Sequence, residues 1–459
     1  MKQFHPLIFL SLLILQLSRI SLNISQAEDW PQWLGNQRDG IWRETGLIQS
    51  FPADGLTPVW RTKIGGGYSS PAVANGRVFV MDRIKHDPEL KKGQFLHPDQ
   101  PPQNANFVRR LLPGAERILC LEEDTGRILW SQEYDCSYRS VAIYAIGPRA
   151  TPTVDGNHVY TLGAEGDLFC LETETGQAVW HRNVRDDYRV ETPEWGFAAH
   201  PLIDGDRIIC MVGGKGTTVV AFNKLTGKEI WRNGDAPQPG YCAPMIYQLG
   251  GKRQLVVWDS DHLRGLNPKT GAAYWQVEIK PAFSMSIGAP QQEGNRLFVM
   301  GYSRVSAMVQ VAVDGNSATV IWRGDTKRGV GGVFNTAVIR DGHIYAGGQG
   351  GRYMCVRLED GERQWSTFEP STGERPASWA NVFTVPNGGL YWLFNDLGEV
   401  MIAEMSPQEF RAISKTQLIE PTHHVGNRTV VWSHPALANR RIFIRNDNEI
   451  LCYNVGDTK

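Results

Sequence analysis

The sequence has no Cys-x-x-Cys, no two adjacent cysteines and no cysteine–histidine spacing of a zinc site. Those absences exclude a dithiol redox motif and a sequence-local zinc centre. It has no Gly-x-Ser-x-Gly elbow, so the strained nucleophile turn of a serine hydrolase is missing too. Charge of one sign is also lacking: 47 Lys and Arg stand against 48 Asp and Glu. Such balance supplies no overall field to attract nucleic acid or an anionic membrane surface. Beyond the first residues no apolar run is long enough to cross a bilayer. What the chain has in quantity is glycine, 48 residues, and tryptophan, 15, which suits many tight turns and repeated aromatic packing.

The first residues read as a secretory signal peptide rather than as part of the fold. Lys2 supplies a basic start, Leu7 to Leu17 an apolar run too short to span a membrane, and Ser25-Gln26-Ala27 a small-x-small cleavage site. The expectation is a signal peptide over residues 1–27 and a periplasmic or secreted protein with no transmembrane segment after cleavage. The seven cysteines do not form an obvious disulfide framework, since their number is odd. Cys120, Cys170 and Cys355 occupy a repeat position held elsewhere by Ala221 and Gly265, so the position selects for small size. A cysteine there is expected to be buried and unpaired.

That position belongs to a unit repeated along the chain. Cys170-Leu-Glu-Thr-Glu-Thr-Gly-Gln-Ala-Val-Trp180 is a strand, a polar Thr-Gly turn and a second strand ending on tryptophan. The same register holds at Cys120 to Trp130, Ala221 to Trp231, Gly265 to Trp275 and Cys355 to Trp365. A fixed internal period decides the architecture before any other feature. Upstream of each unit lies a second piece, as in Ser70-Pro-Ala-Val-Ala-Asn-Gly-Arg-Val-Phe-Val80 and Thr151-Pro-Thr-Val-Asp-Gly-Asn-His-Val-Tyr160. Asn-Gly or Asp-Gly between β-branched runs marks a tight hairpin, because both turn residues tolerate positive φ. Two such hairpins make one four-stranded propeller blade.

The inner hairpins begin near Ser70, Thr151, His200, Ala243, Ala289, Thr336, Asn381 and His434, which predicts an all-β, eight-bladed propeller. Seven blades would remain if the weak stretch from Asn381 to Pro421 failed to form one. The outer strand at Trp60 has no inner hairpin before it, and the last hairpin, His434 to Tyr453, has no outer strand after it. The N-terminal strand is therefore expected to close the ring against the final blade, which removes exposed sheet edges. The expected division is a strap over 28–57 and a propeller over 58–459, with an insertion over 84–116 in the first blade. Trp60, Trp130, Trp180, Trp231, Trp275, Trp322 and Trp365 are assigned to blade-to-blade packing rather than to ligand stacking. An indole buries ~150–250 Å², an upper bound of about 4–6 kcal/mol per blade.

The Thr-Gly-x-x-x-Trp units resemble the tryptophan-docking repeats of the pyrroloquinoline-quinone (PQQ)-like propeller superfamily. That group contains quinoprotein alcohol dehydrogenases and the non-enzymatic propeller of the outer-membrane-protein assembly machinery. The opening Asp29-Trp-Pro-Gln-Trp-Leu-Gly with Arg38-Asp-Gly is similar to exported PQQ-like repeat proteins of planctomycetes. The quinoproteins, by this resemblance, stack PQQ under two adjacent cysteines and bind calcium through Glu, Asn and Asp beside a catalytic Asp. No adjacent cysteines occur here, and no calcium ligand or base is placed on any residue of this chain. The resemblance, with these absences, implies an exported, non-catalytic scaffold or ligand-binding module, a monomeric ring whose partners are envelope proteins, a small ligand or a glycan. The alternative is a PQQ- and calcium-dependent alcohol or sugar dehydrogenase.

Residues just before each inner strand are expected at the mouth of the central channel: Tyr68, Arg149, His200, Tyr241, Ser286, Asn335, Trp379 and His434. Aromatic and basic groups converging there suit an anionic or planar ligand. His423 and His424 with His434, and Asp259 with Asp261 and His262, lack the spacing of a metal site, and no metal is assigned. Gly65-Gly66-Gly67 and Gly213-Gly214 open no helix and are not phosphate loops.

Overall fold

The computed structural model describes residues 27–84, 94–95, 108–139 and 147–457. The signal-peptide reading thus falls outside the described residues except for Ala27, as does most of the insertion. The described residues form eight four-stranded antiparallel sheets in a ring. Blade 1 runs through Ala72–Ala74, Arg77–Ile84, Ala115–Glu122 and Ile128–Asp135. Blade 2 starts at Thr153–Asp155, blade 3 at Leu202–Asp204, blade 4 at Met245–Leu249 and blade 5 at Gln291–Glu293. Blade 6 starts at Val338–Arg340, and blade 7, from the stretch with the weakest repeat, is complete from Val382–Asn387 to Phe410–Gln417. Blade 8 takes three strands from the C-terminal end and its fourth, Trp60–Lys63, from the N-terminal side. Trp60 pairs with Cys452 and Lys63 with Glu449, so the ring is closed by strand pairing.

The small repeat position lies directly across the ladder from the tryptophan. Cys120 faces Trp130, Cys170 faces Trp180, Ala221 faces Trp231, Gly265 faces Trp275 and Cys355 faces Trp365. Cys452 faces Trp60 in the same way across the closure. Six of the outer-strand indoles also reach the following blade. The Nε1–H of Trp60 donates to the Glu123 carbonyl, Trp130 to Thr173, Trp180 to Lys224, Trp231 to Pro268, Trp322 to Leu358 and Trp365 to Ser406. For all of these but Trp365, a turn glycine of the next blade sits under the ring. A Cβ on Gly176 would lie 2.6 Å from Trp130 and one on Gly227 2.9 Å from Trp180. Both glycines have φ of +73° and +67°, so the turn and the close approach select glycine together.

Two junctions depart from this rule. Trp275 turns to its own blade and donates to Gln254, whose amide donates onward to the Gly315 carbonyl of blade 5. Blade 7 has no tryptophan on its outer strand, and the strap fills that junction. Phe51 donates its N–H to Ser414 Oγ, and Phe51 and Trp42 both pack edge-on against Trp392. All seven cysteines are buried and free. Truncating the interior Trp231 or the closure residue Trp60 to alanine should cost about 3–5 kcal/mol each. Urea unfolding checks this, and near-equal losses are expected because the closure junction is built like the others.

Candidate functional site

The blade-to-blade connections meet on the ring axis around a cavity of about 340 Å³. Its wall is one register position read eight times, two residues before the head of each inner hairpin. Blade by blade that position holds Tyr68, Arg149, Ala198, Tyr241, Ile287, Phe334, Trp379 and Trp432, and all eight line the cavity. Main-chain bonds between neighbouring blades hold this circle. Tyr68 and Ser69 donate their N–H groups to the Pro148 carbonyl, and Tyr241 donates to Ser286.

Of the residues expected at the mouth, Tyr68, Arg149, His200, Tyr241, Trp379 and His434 line this one cavity. Asn335 and Ser286 do not. Asn335 is buried with its amide donating to the Gly347 and Val382 carbonyls, and Ser286 Oγ donates to Trp258, so both brace blade junctions. The register explains the difference: each is one residue off the lining position, which Phe334 and Ile287 hold. Sequence reasoning also passed over Trp33, Trp195, Phe283, Tyr302 and Trp432. Aligning the eight hairpins on their heads would have found Trp432 and Phe334; the others come from connections without a fixed register.

The floor is made by the strap. Trp30 exchanges N–H···O bonds with Val73 of blade 1, and Pro31 accepts from Val154 of blade 2. The chain then turns to the axis, where Trp33 stacks on His200 with centroids 4.5 Å apart and meets His434 edge-on. Arg38 pins the turn by donating to the carbonyls of His200, Pro201 and Pro244. Its burial pulls the guanidinium down to about 10. Trp33 lines both this cavity and a smaller one of about 30 Å³, and so stands between them.

The electrostatics of the lining are simple. His200 accepts the Thr151 N–H at Nδ1, which fixes a neutral tautomer, and burial followed by nearby Arg38 holds it well below its ordinary value. Burial lowers His434 to about 4. Arg149 stacks over the Tyr68 ring at 4.9 Å; burial lowers its pKa, while Tyr68 and Tyr241 act in the opposite direction. Among the described residues the lining contains no Asp, Glu, Cys or Lys.

The other candidate groups do not line this cavity, although His423 packs edge-on against Tyr68 of its wall. His423 pairs with Asp447 at 3.3 Å, and Asp259 accepts the N–H groups of Asp261 and His262 while paired to Arg264. Both are turn and ion-pair arrangements, and no group of three metal-ligating side chains occurs among the described residues. Glu116, sealed between blades 1 and 2, accepts from Tyr134 and from the Ala164 N–H, and burial lifts it to about 7.

These two shifts act in opposite senses on stability. Unfolded His434 binds a proton near 6.5 and the folded residue only near about 4, so stability falls as pH drops through that window. His434→Asn should flatten this loss, measured as urea midpoints at about pH 7 and about pH 5. Folded Glu116 keeps its proton up to about 7 and the unfolded residue only to 4.5, so stability falls as pH rises between them. Glu116→Gln should therefore gain up to about 3 kcal/mol over wild type above that window and little below it.

A family profile described as outer membrane protein assembly factor BamB matches residues 114–367. The assembly factor BamB of Salmonella typhimurium is 25% identical over 165 residues, 36% of this chain and 38% of that protein. The chain spans between 38% and 66% of the length of the curated relatives it matches. Among solved structures, BamB from Moraxella catarrhalis superposes with a TM-score of 0.52 at 14% identity, covering 86% of this chain and 97% of that one. A europium-containing methanol dehydrogenase superposes with a TM-score of 0.59 at 11% identity, covering 93% and 89%. At such identities the structural likeness is one of fold. With the profile spanning more than half of its length, the chain belongs to the BamB family of PQQ-like β-propellers.

Proposed function

We propose that the protein is a non-catalytic propeller of the cell envelope, a rigid ring that serves as a protein-interaction scaffold and holds a small ligand in its axial cavity. The observation that carries this reading is the lining among the described residues: aromatic and aliphatic walls, one arginine and two histidines held neutral. Proton transfer at neutral pH needs a group poised near the working pH, and neither histidine is. The envelope location is supported by the relatives named as outer membrane protein assembly factors. No helix among the described residues is long and apolar enough to cross a membrane.

The second reading, a PQQ-dependent dehydrogenase, draws on the shared ring with methanol dehydrogenase. The described lining does not fit PQQ with calcium. Calcium takes about six to eight oxygen ligands, chiefly carboxylates and carbonyls, and no Asp or Glu faces the cavity among the described residues. The three carboxylates of PQQ would meet Arg149 as the sole formal charge of that lining. Purified protein given PQQ and Ca²⁺ is expected to show no rise in melting temperature and no dye reduction with alcohols or sugars. Turnover accompanied by a higher melting temperature would replace this reading with the dehydrogenase.

A further inference from the structure

We infer that a cleft between the connections leaving blades 1 and 2 holds a zwitterionic phosphate ester, its phosphate between Arg139 and Arg189 and its ammonium group at Glu191. The cleft, about 410 Å³, is of small-molecule size. It shares no lining residue with the axial cavity, so the inference stands apart from that ligand site.

Three segments meet in the cleft: Arg109 ahead of blade 1's third strand, Arg139 after its outer strand, and residues 185–192 after the outer strand of blade 2. Arg109 ties them together, donating Nε–H to the Arg139 carbonyl at 2.8 Å and a second N–H to the Thr192 carbonyl. Glu165, 2% exposed, is the buried anchor. It accepts from the Arg139 backbone N–H at 2.6 Å, the Thr192 hydroxyl at 2.6 Å and the Arg185 guanidinium at 2.9 Å. The other two nitrogens of Arg185 donate to Asp186 at 2.8 and 3.1 Å. The short helix Val184–Tyr188 is capped by Asn183 and ends on Arg189, whose left-handed backbone, φ +53°, turns the chain along the cleft.

That frame engages Glu165, Asp186 and Arg185 with one another, while Arg109 is held by the two carbonyls and faces Glu194. Three charged side chains of the lining are left over. The guanidiniums of Arg139 and Arg189 and the carboxylate of Glu191 make no hydrogen bond or ion pair among the described residues. Arg139 acts on Glu165 and Asp186 through space alone. Arg189 and Glu191 are exposed and Arg139 is half-buried, so a solute reaches all three.

These leftover charges select the ligand. Two guanidiniums in one cleft repel each other, and a phosphate relieves this because its several oxygens accept from both. A simple polyanion would be repelled by Glu191, and a simple cation by the two arginines. A flat aromatic body finds no aromatic side chain in the lining among the described residues. A phosphate with an ammonium group a few bonds away meets all three charges.

The probes are O-phosphoethanolamine, phosphocholine and inorganic phosphate, titrated calorimetrically into the full chain at low ionic strength, where exposed charges are least screened. Phosphoethanolamine is expected to bind at least about tenfold tighter than phosphate, as a hydrogen bond between charged groups supplies. It should also bind tighter than phosphocholine, whose quaternary nitrogen has no N–H to give Glu191. Glu191→Gln should remove the advantage over phosphate, and Arg139→Met combined with Arg189→Met should abolish binding of all three. Arg139 joins the frame through its backbone and Arg189 is exposed, so both variants keep the ring, which thermal melts establish; Arg189→Met alone should weaken binding at least about tenfold. Vesicles of phosphatidylethanolamine set against phosphatidylcholine separate two sources of this chemistry. Retention on the former names a lipid headgroup, and binding of the free ester alone names a soluble one. Equal binding of phosphate and phosphoethanolamine, an advantage that survives Glu191→Gln, binding that survives loss of both arginines, or binding by none of the three overturns the assignment.

Discussion

Five of the eight blade junctions in this ring are made by an indole lying on a glycine that has no side chain to keep it away. The contact asks three things at once of the sequence: a tryptophan on the outer strand, a small residue across the ladder from it, and a positive-φ glycine in the turn that follows. Trp180 meets all three, with Cys170 opposite and Gly227 beneath. The indole N–H finds a carbonyl in the same turn, so burying the ring leaves no polar atom unpaired. Where one part is missing the structure substitutes another. Gln254 relays from Trp275 to blade 5, and Phe51 of the strap occupies the junction that blade 7 leaves without a tryptophan.

Closure of the ring places the strap, and the strap sets the depth of the cavity. Because Trp60–Lys63 must pair with the last strand, the residues before it cross the face formed by the inner hairpin turns. On the way they add backbone bonds to blades 1 and 2, send Trp33 into the axis, and return over blades 7 and 8 through Trp42 and Ile48. Glu44 ties this return by accepting from the Trp42 indole and the Arg440 N–H. A single segment thus completes the fold and floors the candidate site.

A repeated scaffold presents an unrepeated surface. The eight blades are alike in hydrogen bonding and packing, yet the lining position carries Tyr, Arg, Ala, Tyr, Ile, Phe, Trp and Trp in turn. Nothing in the strand pairing of the blades requires that order. The fold is shared with an assembly factor and a methanol dehydrogenase, and a shared fold does not by itself assign a function.

The architecture was legible in the chain because its rules are local and recur. Asn-Gly and Asp-Gly turns, the Thr-Gly turns and the spacing from Cys170 to Trp180 each act within about a dozen residues, and the mismatch between first and last hairpins implied the closure at Trp60. The site was legible in part. Tyr68, Arg149, Tyr241 and Trp379 follow from their place before an inner strand, whereas Asn335 and Ser286 were each one residue out of register, and a one-residue step changes which way a side chain faces. Only the tertiary structure decided that Trp33 floors the channel and that Phe283 and Tyr302 join the wall. Those positions depend on where separate loops and the strap meet on the axis, a convergence over hundreds of residues that no short-range spacing encodes.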